Sequence, residues 1–192
     1  PDDDLPFFRT LHSLAFRLIG MRADQLLTAE HYAELSQRIG VSLVASGYVD
    51  QEDDFSGTLK RESPILRLIS LARLKQVPLQ QEYNRSAVDY TWSEVDYVAR
   101  SLAAYKEANA IYDYTDMLEL FVESGHQACP QFQLCLLDEA QDLSPLQWRI
   151  AHLIDDRSRR MYCAGDDDQA IYEWAGADVN HFQNLPGGSE VL

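Results

Sequence analysis

A largely apolar run that ends in acidic residues is the feature that most constrains the fold of this chain. Residues 132–137 form this run between Pro130 and Ser144-Pro145, and they predict a strand buried on both faces. Asp138 and Glu139 follow directly. Ligands of open α/β sheets bind outside the carboxyl ends of the strands. Adjacent acids there suit a magnesium ligand and a water-orienting base for phosphoryl transfer.

A second acidic turn follows a second predicted strand. Ser144-Pro145 has the form of a helix cap followed by a proline at the first helical position, and residues 161–164 predict the next strand. A strand, a helix and a strand in this order form a right-handed unit with parallel strands. The turn that begins at Gly165 is therefore expected beside Asp138 and Glu139, where both acidic turns can serve one ligand.

Several motifs carry a resemblance to a known family. Residues 138–142 read Asp-Glu-Ala-Gln-Asp, and residues 165–177 read Gly-Asp-Asp-Asp-Gln-Ala-Ile-Tyr-Glu-Trp-Ala-Gly-Ala. In sequence, order and spacing they resemble motif II (DExQD) and motif III (GDxDQxIYxxRGA) of the UvrD/Rep-like superfamily 1 DNA helicases. Residues 9–16 are similar to the TFHSxA motif of that family, and residues 113–118 are similar to its DFxDML segment. The resemblance spans nearly the whole chain.

The resemblance implies that the chain contributes to a site for ATP and Mg²⁺. Asp138 would hold Mg²⁺, Glu139 would orient or deprotonate the attacking water, and Gln169 would sense the γ-phosphate. The other nucleotide-binding residues that it implies are Gln141, Asp142 and Asp166, and Gln141 and Asp142 would also link the two motifs. The three consecutive aspartates 166–168 also suit turn formation and helix capping, so only the first of them is assigned to the site.

The resemblance also implies contacts with single-stranded DNA and with junctions of single strand and duplex. The implied DNA-binding residues are Thr10, His12, Ser13, Tyr172 and Trp174. Without the other motifs, Thr10 would be interpreted as the cap of its own helix. With them, the DNA contact is favoured, since a threonine hydroxyl at a helix start can hold a phosphate oxygen. Trp174 is expected to stack on a base, although both aromatic residues are also candidates for the core. The family motif has arginine where this chain has Ala175.

Helical patterns fill the middle of the chain. Residues 28–44 predict a helix that Gly47 ends, Ser63-Pro64 marks another start, and residues 93–108 predict a third helix. By resemblance, the fold class is α/β: a partial RecA-like parallel-sheet domain (1A) with an inserted all-helical subdomain (1B). Domain 1A would occupy residues 1–20 and 112–192, and subdomain 1B residues 21–111.

The net charge and the cysteine pattern indicate which kinds of surface and cellular compartment the chain suits. The net charge of −15 has the wrong sign for a generally basic DNA-binding surface. Residues 59–75 are locally basic, however, with five Lys and Arg residues against Glu62 alone, and they suit either phosphate contacts or a solvated helix face. The three cysteines lack CxxC spacing, which favours buried thiols in a reducing, cytoplasmic compartment. The sequence predicts no membrane span and no structural zinc site.

The sequence contains neither a GxxxxGKS nor a GxxxxGKT phosphate loop, and no second RecA-like domain follows motif III. We therefore expect an interior piece of an ATP-dependent DNA helicase, inactive without the missing helicase domains of its parent. One alternative is a non-catalytic, helicase-like module that binds DNA or acts as a scaffold. Retention of both motif II acids and of Gln169 argues against it. Another is a metal-dependent nuclease, which would leave most of motif III unexplained.

Overall fold

The computed structural model describes residues 7–44, 62–169 and 176–185. The chain divides into two compact units. Unit 1 comprises residues 1–21, 74–76 and 117–192, and unit 2 comprises residues 22–73 and 77–116. Within the described ranges the chain is mostly helical and has one small parallel sheet, which is consistent with a partial α/β domain.

The described part of the chain contains eight α-helices. They are α1 (Leu11–Leu18), α2 (Ala29–Ile39), α3 (Pro64–Leu74), α4 (Leu79–Arg85), α5 (Trp92–Asn109), α6 (Tyr114–Ser124), α7 (Pro145–Asp155) and α8 (Val179–Gln183). The strands are β1 (Cys135–Leu137) and β2 (Met161–Cys163). No helix in the part of the chain that is described is long and apolar enough to cross a membrane.

Unit 2 is built around the apolar faces of α3 and α5. Ile65, Val95 and Val98 have no exposed surface, and they pack in one cluster with residues of α2. Thr91 caps α5 by accepting a hydrogen bond from the Glu94 N–H, and the Glu94 carboxylate accepts from the Thr91 N–H in return. This reciprocal cap fixes the start of the longest helix of the unit.

Helix α2 ends earlier than the sequence predicts. We expected a helix to residue 44 that Gly47 ends, whereas the helix stops at Ile39 and Gly40 takes the left-handed conformation with φ of 71°. The hydroxyl of Ser36 accepts from the Leu43 N–H at 2.9 Å and so draws the chain back over the helix. A glycine in this conformation satisfies the helix end at no steric cost, which is why the nearer glycine is used. Gly47 lies outside the described residues.

Unit 2 contains a part-buried group of four charged side chains, which we call the ionic cluster. Arg73 contacts Asp113 at 2.9 Å and Asp116 at 2.5 Å, and Lys106 contacts the same two carboxylates at 2.6 and 2.7 Å. The two carboxylates also cap α6, each accepting from the backbone N–H of the other. Arg73 of the locally basic segment is thus paired inside the protein and forms no part of a solvated basic face.

Unit 1 holds the sheet and the helices that pack on it. Phe121, Leu118, Leu146 and Ile150 have no exposed surface and form one cluster with residues of α1. Ser144 caps α7 by accepting from the N–H of the third helical residue, and a proline occupies the first helical position. The predicted helix start at this point is confirmed.

Strands β1 and β2 pair in parallel, with Leu136 opposite Tyr162. The parallel pairing is confirmed, but burial of β1 on both faces is wrong. Cys135 and Leu137 pack into the core, whereas Leu136 is 71% exposed. Successive side chains of a strand point to opposite faces, and the described helices of unit 1 cover only one of them.

The three cysteines are free thiols. Cys129 is buried, whereas Cys135 and Cys163 are half-buried, which is less than the sequence predicts. Burial raises the pKa of all three thiols, so the thiolate is disfavoured at neutral pH and the groups behave as small apolar side chains.

Candidate functional site

The two acidic turns meet at the carboxyl end of the sheet. The Ala164 N–H donates to the Leu137 carbonyl at 2.7 Å, and the Ala140 N–H donates to the Ala164 carbonyl at 2.9 Å. These bonds continue the contact between the strands for a few residues past their ends. The first acidic turn (residues 138–142) and the second acidic turn (residues 165–169) therefore lie side by side, as the sequence predicts.

Asp138 and Glu139 occupy the exposed start of the first acidic turn. Glu139 has φ of 51°, a left-handed backbone conformation that is costly for a residue with a side chain and that clusters at functional sites. The Glu139 N–H donates to the Asp138 carboxylate at 3.0 Å. Both carboxylates are exposed, so a ligand outside the carboxyl end of β1 can reach them.

Gln141 lies behind these acids and is 1% exposed. Its side-chain Nε2 donates to Glu139 Oε2 at 2.7 Å, and its Oε1 accepts from the backbone N–H of Asp166 at 3.1 Å. The predicted nucleotide-binding residue is therefore enclosed in the protein. Its amide joins the first acidic turn to the second.

Asp142 is the last residue of the first acidic turn, and its surroundings disfavour a charged carboxylate. One of its carboxylate oxygens is buried, without a hydrogen-bond partner among the described residues. Burial, and then the charge of Glu139, raise the pKa of the Asp142 carboxyl. The charged form of this residue is thus disfavoured where it stands.

The second acidic turn is held by its first aspartate. Asp166 Oδ1 accepts from the Asp168 N–H at 3.0 Å, and the Gln169 side chain donates to Asp166 Oδ2. The capping role that the sequence allows for this run of aspartates is thus played by Asp166. Gln169 is exposed, so its amide can reach a ligand at this edge of the sheet.

Sequence reasoning missed two residues that shape the site. A Cβ atom on Gly165 would lie 2.4 Å from Gln141 Oε1 and 2.9 Å from Phe182, so only glycine permits this close approach. Asp178 caps α8 and its N–H donates to the Leu143 carbonyl at 2.8 Å, which fastens α8 against the first acidic turn. The signals in the sequence were a glycine near the end of a predicted strand and an aspartate at a position that suits a helix cap.

The acidic turns carry no neutralising charge in the described part of the chain. No ion pair there joins Lys or Arg to Asp138, Glu139, Asp142, Asp166 or Asp168. No group of three or more His, Cys, Asp or Glu residues forms a closed metal site within the described ranges either. Hard cations prefer carboxylate oxygens, and Mg²⁺ at a triphosphate takes one or two of them from the protein. The exposed and unpaired Asp138 fits that requirement.

The predicted DNA-binding residues of the first segment lie at the start of α1. The Thr10 hydroxyl accepts from the Ser13 N–H at 3.2 Å, so it caps the helix. His12 is half-buried, and burial lowers the pKa of its imidazole, which favours the neutral form at neutral pH. Tyr172, Trp174 and Ala175 lie outside the described residues.

Comparison with known proteins places these features in a family. The description "UvrD/REP helicase N-terminal domain" matches residues 4–187. The chain is 28% identical over 187 residues to the ATP-dependent DNA helicase PcrA of Leuconostoc citreum, an alignment that covers 92% of this chain and 24% of that protein. It is 25% identical over 197 residues to the putative ATP-dependent DNA helicase YjcD of Bacillus subtilis (strain 168), covering 95% of this chain and 25% of the relative.

Over a shorter alignment of 89 residues, the chain is 29% identical to the ATP-dependent DNA helicase Rep of Buchnera aphidicola. This alignment covers 43% of this chain and 13% of Rep. The chain spans about a quarter of the length of the PcrA and YjcD relatives. Because the family match extends over most of its length, this chain belongs to the UvrD/REP helicase family, in the region of the N-terminal domain.

Proposed function

We propose that this chain is part of the ATP-hydrolysing core of a DNA helicase that moves along single-stranded DNA and unwinds duplexes at junctions. The observation that supports the proposal is the meeting of two acidic turns at the carboxyl ends of paired parallel strands. The carboxylates of Asp138, Glu139 and Asp166 are exposed, and no ion pair in the described part of the chain joins them to Lys or Arg. Phosphate ligands of α/β sheets bind at such an edge.

At this edge Asp138 and Glu139 would divide the work. Asp138 would hold Mg²⁺, which supplies neutralisation of charge on the β- and γ-phosphates of ATP. Glu139 would accept a proton from, or orient, the water that attacks the γ-phosphate. Its left-handed backbone turns it out of the line of β1 while keeping it next to Asp138.

The second acidic turn would report the state of the nucleotide. The exposed Gln169 amide can donate to a phosphate oxygen and accept from a water. It is held by Asp166, whose backbone contacts Gln141. A contact between Gln169 and the γ-phosphate would therefore act on a turn that is already linked to Glu139.

DNA contacts are assigned by the family resemblance to Thr10, His12 and Ser13 and to Tyr172 and Trp174. The Thr10 hydroxyl accepts from Ser13 in the cap, and its own hydrogen can be donated to a phosphate oxygen. In the same proposal residues 1–20 and 112–192 belong to domain 1A, and residues 21–111 form subdomain 1B.

The proposal is tested in the longer polypeptide in which this chain is expected to lie. Glu139→Gln keeps the shape of the side chain but removes its basic oxygen, so we expect ATP binding to persist while turnover falls about 100-fold or more. The control is Asp156→Asn, an exposed aspartate whose carboxylate contacts His126. Near-normal single-turnover hydrolysis in the Glu139 variant would overturn the assignment.

The 192-residue chain by itself is expected to turn over no ATP, because its sequence contains no GxxxxGKS or GxxxxGKT phosphate loop. A phosphate-release assay on the purified chain measures this directly. Turnover that Asp138→Asn abolished would show that the chain is sufficient for catalysis.

A further inference from the structure

The buried side-chain amide of Gln141 lies between the two acidic turns. A primary amide taken out of water costs free energy unless its groups are hydrogen-bonded. Gln141 is 1% exposed, and its two polar ends are bonded to two different acidic turns, at 2.7 Å to Glu139 and at 3.1 Å to Asp166. The amide therefore fixes a distance between them.

The backbone around Gln141 is shaped to permit these two contacts. Residues 140–142 form a single 3₁₀ turn directly after the left-handed Glu139, which brings the Gln141 side chain back toward the carboxylate. Across from it, Gly165 leaves room for Gln141 Oε1, where a Cβ would lie at 2.4 Å. A side chain at position 165 would displace either the amide or the second acidic turn.

The contact continues into the second turn. Asp166, whose N–H donates to Gln141, uses one carboxylate oxygen to accept from the Asp168 N–H and the other to accept from the Gln169 side chain. A continuous hydrogen-bonded path thus runs from Glu139 through Gln141 and Asp166 to Gln169. Each step is a direct contact between neighbouring groups.

We propose that Gln141 is a positioning residue that orients the Glu139 carboxylate and couples its orientation to the turn that carries Gln169. This inference rests on the proposed function, in which Glu139 acts on water and Gln169 meets the γ-phosphate. Because Gln141 donates to Glu139 Oε2, the other carboxylate oxygen is left for the water. A shift of the second turn on nucleotide contact is passed through the amide to Glu139.

Two substitutions in the longer polypeptide test this role. Gln141→Leu removes both contacts, and Gln141→Glu keeps an acceptor for the Asp166 N–H but sets a second carboxylate against Glu139. We expect each to lower kcat for ATP about 10- to 100-fold while KM for ATP changes less than about threefold. If Gln141→Glu kept normal turnover, the donor contact to Glu139 would be irrelevant and the proposal would be wrong.

A matched control is available in the same unit. Gln147 is also a part-buried, hydrogen-bonded glutamine, but its amide oxygen accepts from Ser144 in the cap of α7. Gln147→Leu is expected to lower thermal stability and to leave kcat within about twofold of the wild type. If kcat fell as much in Gln147→Leu as in Gln141→Leu, the effect of Gln141→Leu would be explained by general destabilisation and the proposal would be wrong.

A double variant separates positioning from other roles. If Gln141 acts only through Glu139, then Glu139→Gln with Gln141→Leu turns over ATP no more slowly than Glu139→Gln alone. Multiplied effects would overturn the proposal. Normal turnover of Glu139→Gln itself would instead defeat the proposed function, and the two failures are thereby distinguished.

The contact can also be tested without activity, in the 192-residue chain. The side-chain amide protons of Gln141 are expected to exchange with solvent at least about tenfold more slowly than those of the exposed Gln133, and Glu139→Ala is expected to reduce this protection. NMR exchange measurements report both. Equal exchange of the two glutamines, or protection that is unchanged in Glu139→Ala, would remove Gln141 from contact with Glu139.

Discussion

Each unit contains a group of acidic side chains, and the two groups differ in whether Lys or Arg residues neutralise them. In the ionic cluster of unit 2, Asp113 and Asp116 are each contacted by both Arg73 and Lys106. In the acidic turns of unit 1, no ion pair in the described part of the chain joins Lys or Arg to Asp138, Glu139, Asp142, Asp166 or Asp168. The comparison teaches that the same residue type serves stability where the fold supplies the counter-charge and is open to a ligand where it does not.

The pKa shifts follow the same division. Burial by itself raises the pKa of Asp113, but Arg73 and Lys106 outweigh it, and the net result is a lowered pKa. At Asp142, burial and the charge of Glu139 act in the same direction and raise the pKa. The ionised form is therefore favoured by folding at Asp113 and disfavoured at Asp142.

The largest expected effect comes from opening the ionic cluster. Arg73→Met leaves two part-buried carboxylates with Lys106 as their remaining described cationic partner. It should lower the free energy of unfolding by about 3 kcal/mol, near the lower end for a broken buried pair because the cluster keeps some solvent contact. Arg100→Met, which breaks an exposed pair with Asp96 one helical turn away, should cost less than about 0.5 kcal/mol. Denaturant unfolding measures both. Equal losses of unfolding free energy in the two variants would contradict the expectation that the ionic cluster contributes more to stability than an exposed ion pair.

Acid should weaken the ionic cluster next. Because folding lowers the pKa of Asp113, its contribution to stability is present above the ordinary value near pH 4 and is lost as pH falls through the lower, folded value. The difference in unfolding free energy between wild type and Arg73→Met should therefore shrink between about pH 5 and about pH 3. Denaturant unfolding at several pH values tests this, and a constant difference would mean that Asp113 is not the linked group.

The acidic turns should respond with the opposite sign. Asp142→Asn removes a charge that folding disfavours, so we expect a gain in stability at neutral pH of less than about 1 kcal/mol. The gain should disappear in acid, since a carboxyl whose pKa folding raises is destabilising only above its unfolded pKa, where it is charged. Asp156→Asn, at an exposed position beside His126, is the control and should change little. Destabilisation by Asp142→Asn at neutral pH would show that the charged form is needed.

The smallest expected effect is stabilisation by a cation. If the acidic turns lack a counter-charge, millimolar Mg²⁺ should raise the melting temperature of the 192-residue chain slightly, since a ligand at its dissociation constant adds about 0.4 kcal/mol. Asp138→Asn should abolish the rise, and NaCl at matched ionic strength should not reproduce it. A rise that persists in Asp138→Asn would place the cation elsewhere.

Several helix starts could be predicted from local signals in the sequence. Helix starts were predicted correctly at Thr10, Thr28 and Ser144-Pro145, because a cap depends on residues within one turn of it. The end of α2 was misplaced, because the choice of Gly40 over Gly47 depends on the contact of Ser36 with Leu43. Exposure of Leu136 was likewise missed, because a strand pattern does not state which helices cover it.

For the candidate site, the residues that follow the two strands could be predicted from the sequence, and the motifs that they form identified the family. The sequence could not show which of the aspartates are paired with a cation and which are exposed to a ligand. Arg73 and Asp113 are 40 residues apart, and Gln141 and Asp166 are 25 residues apart, so their contacts exist only after the chain has folded. The folded chain was needed to show which carboxylates are neutralised and that the buried amide of Gln141 makes the link between the two acidic turns. The physical reason is that desolvation and Coulomb interactions depend on distances in space and not on positions along the chain.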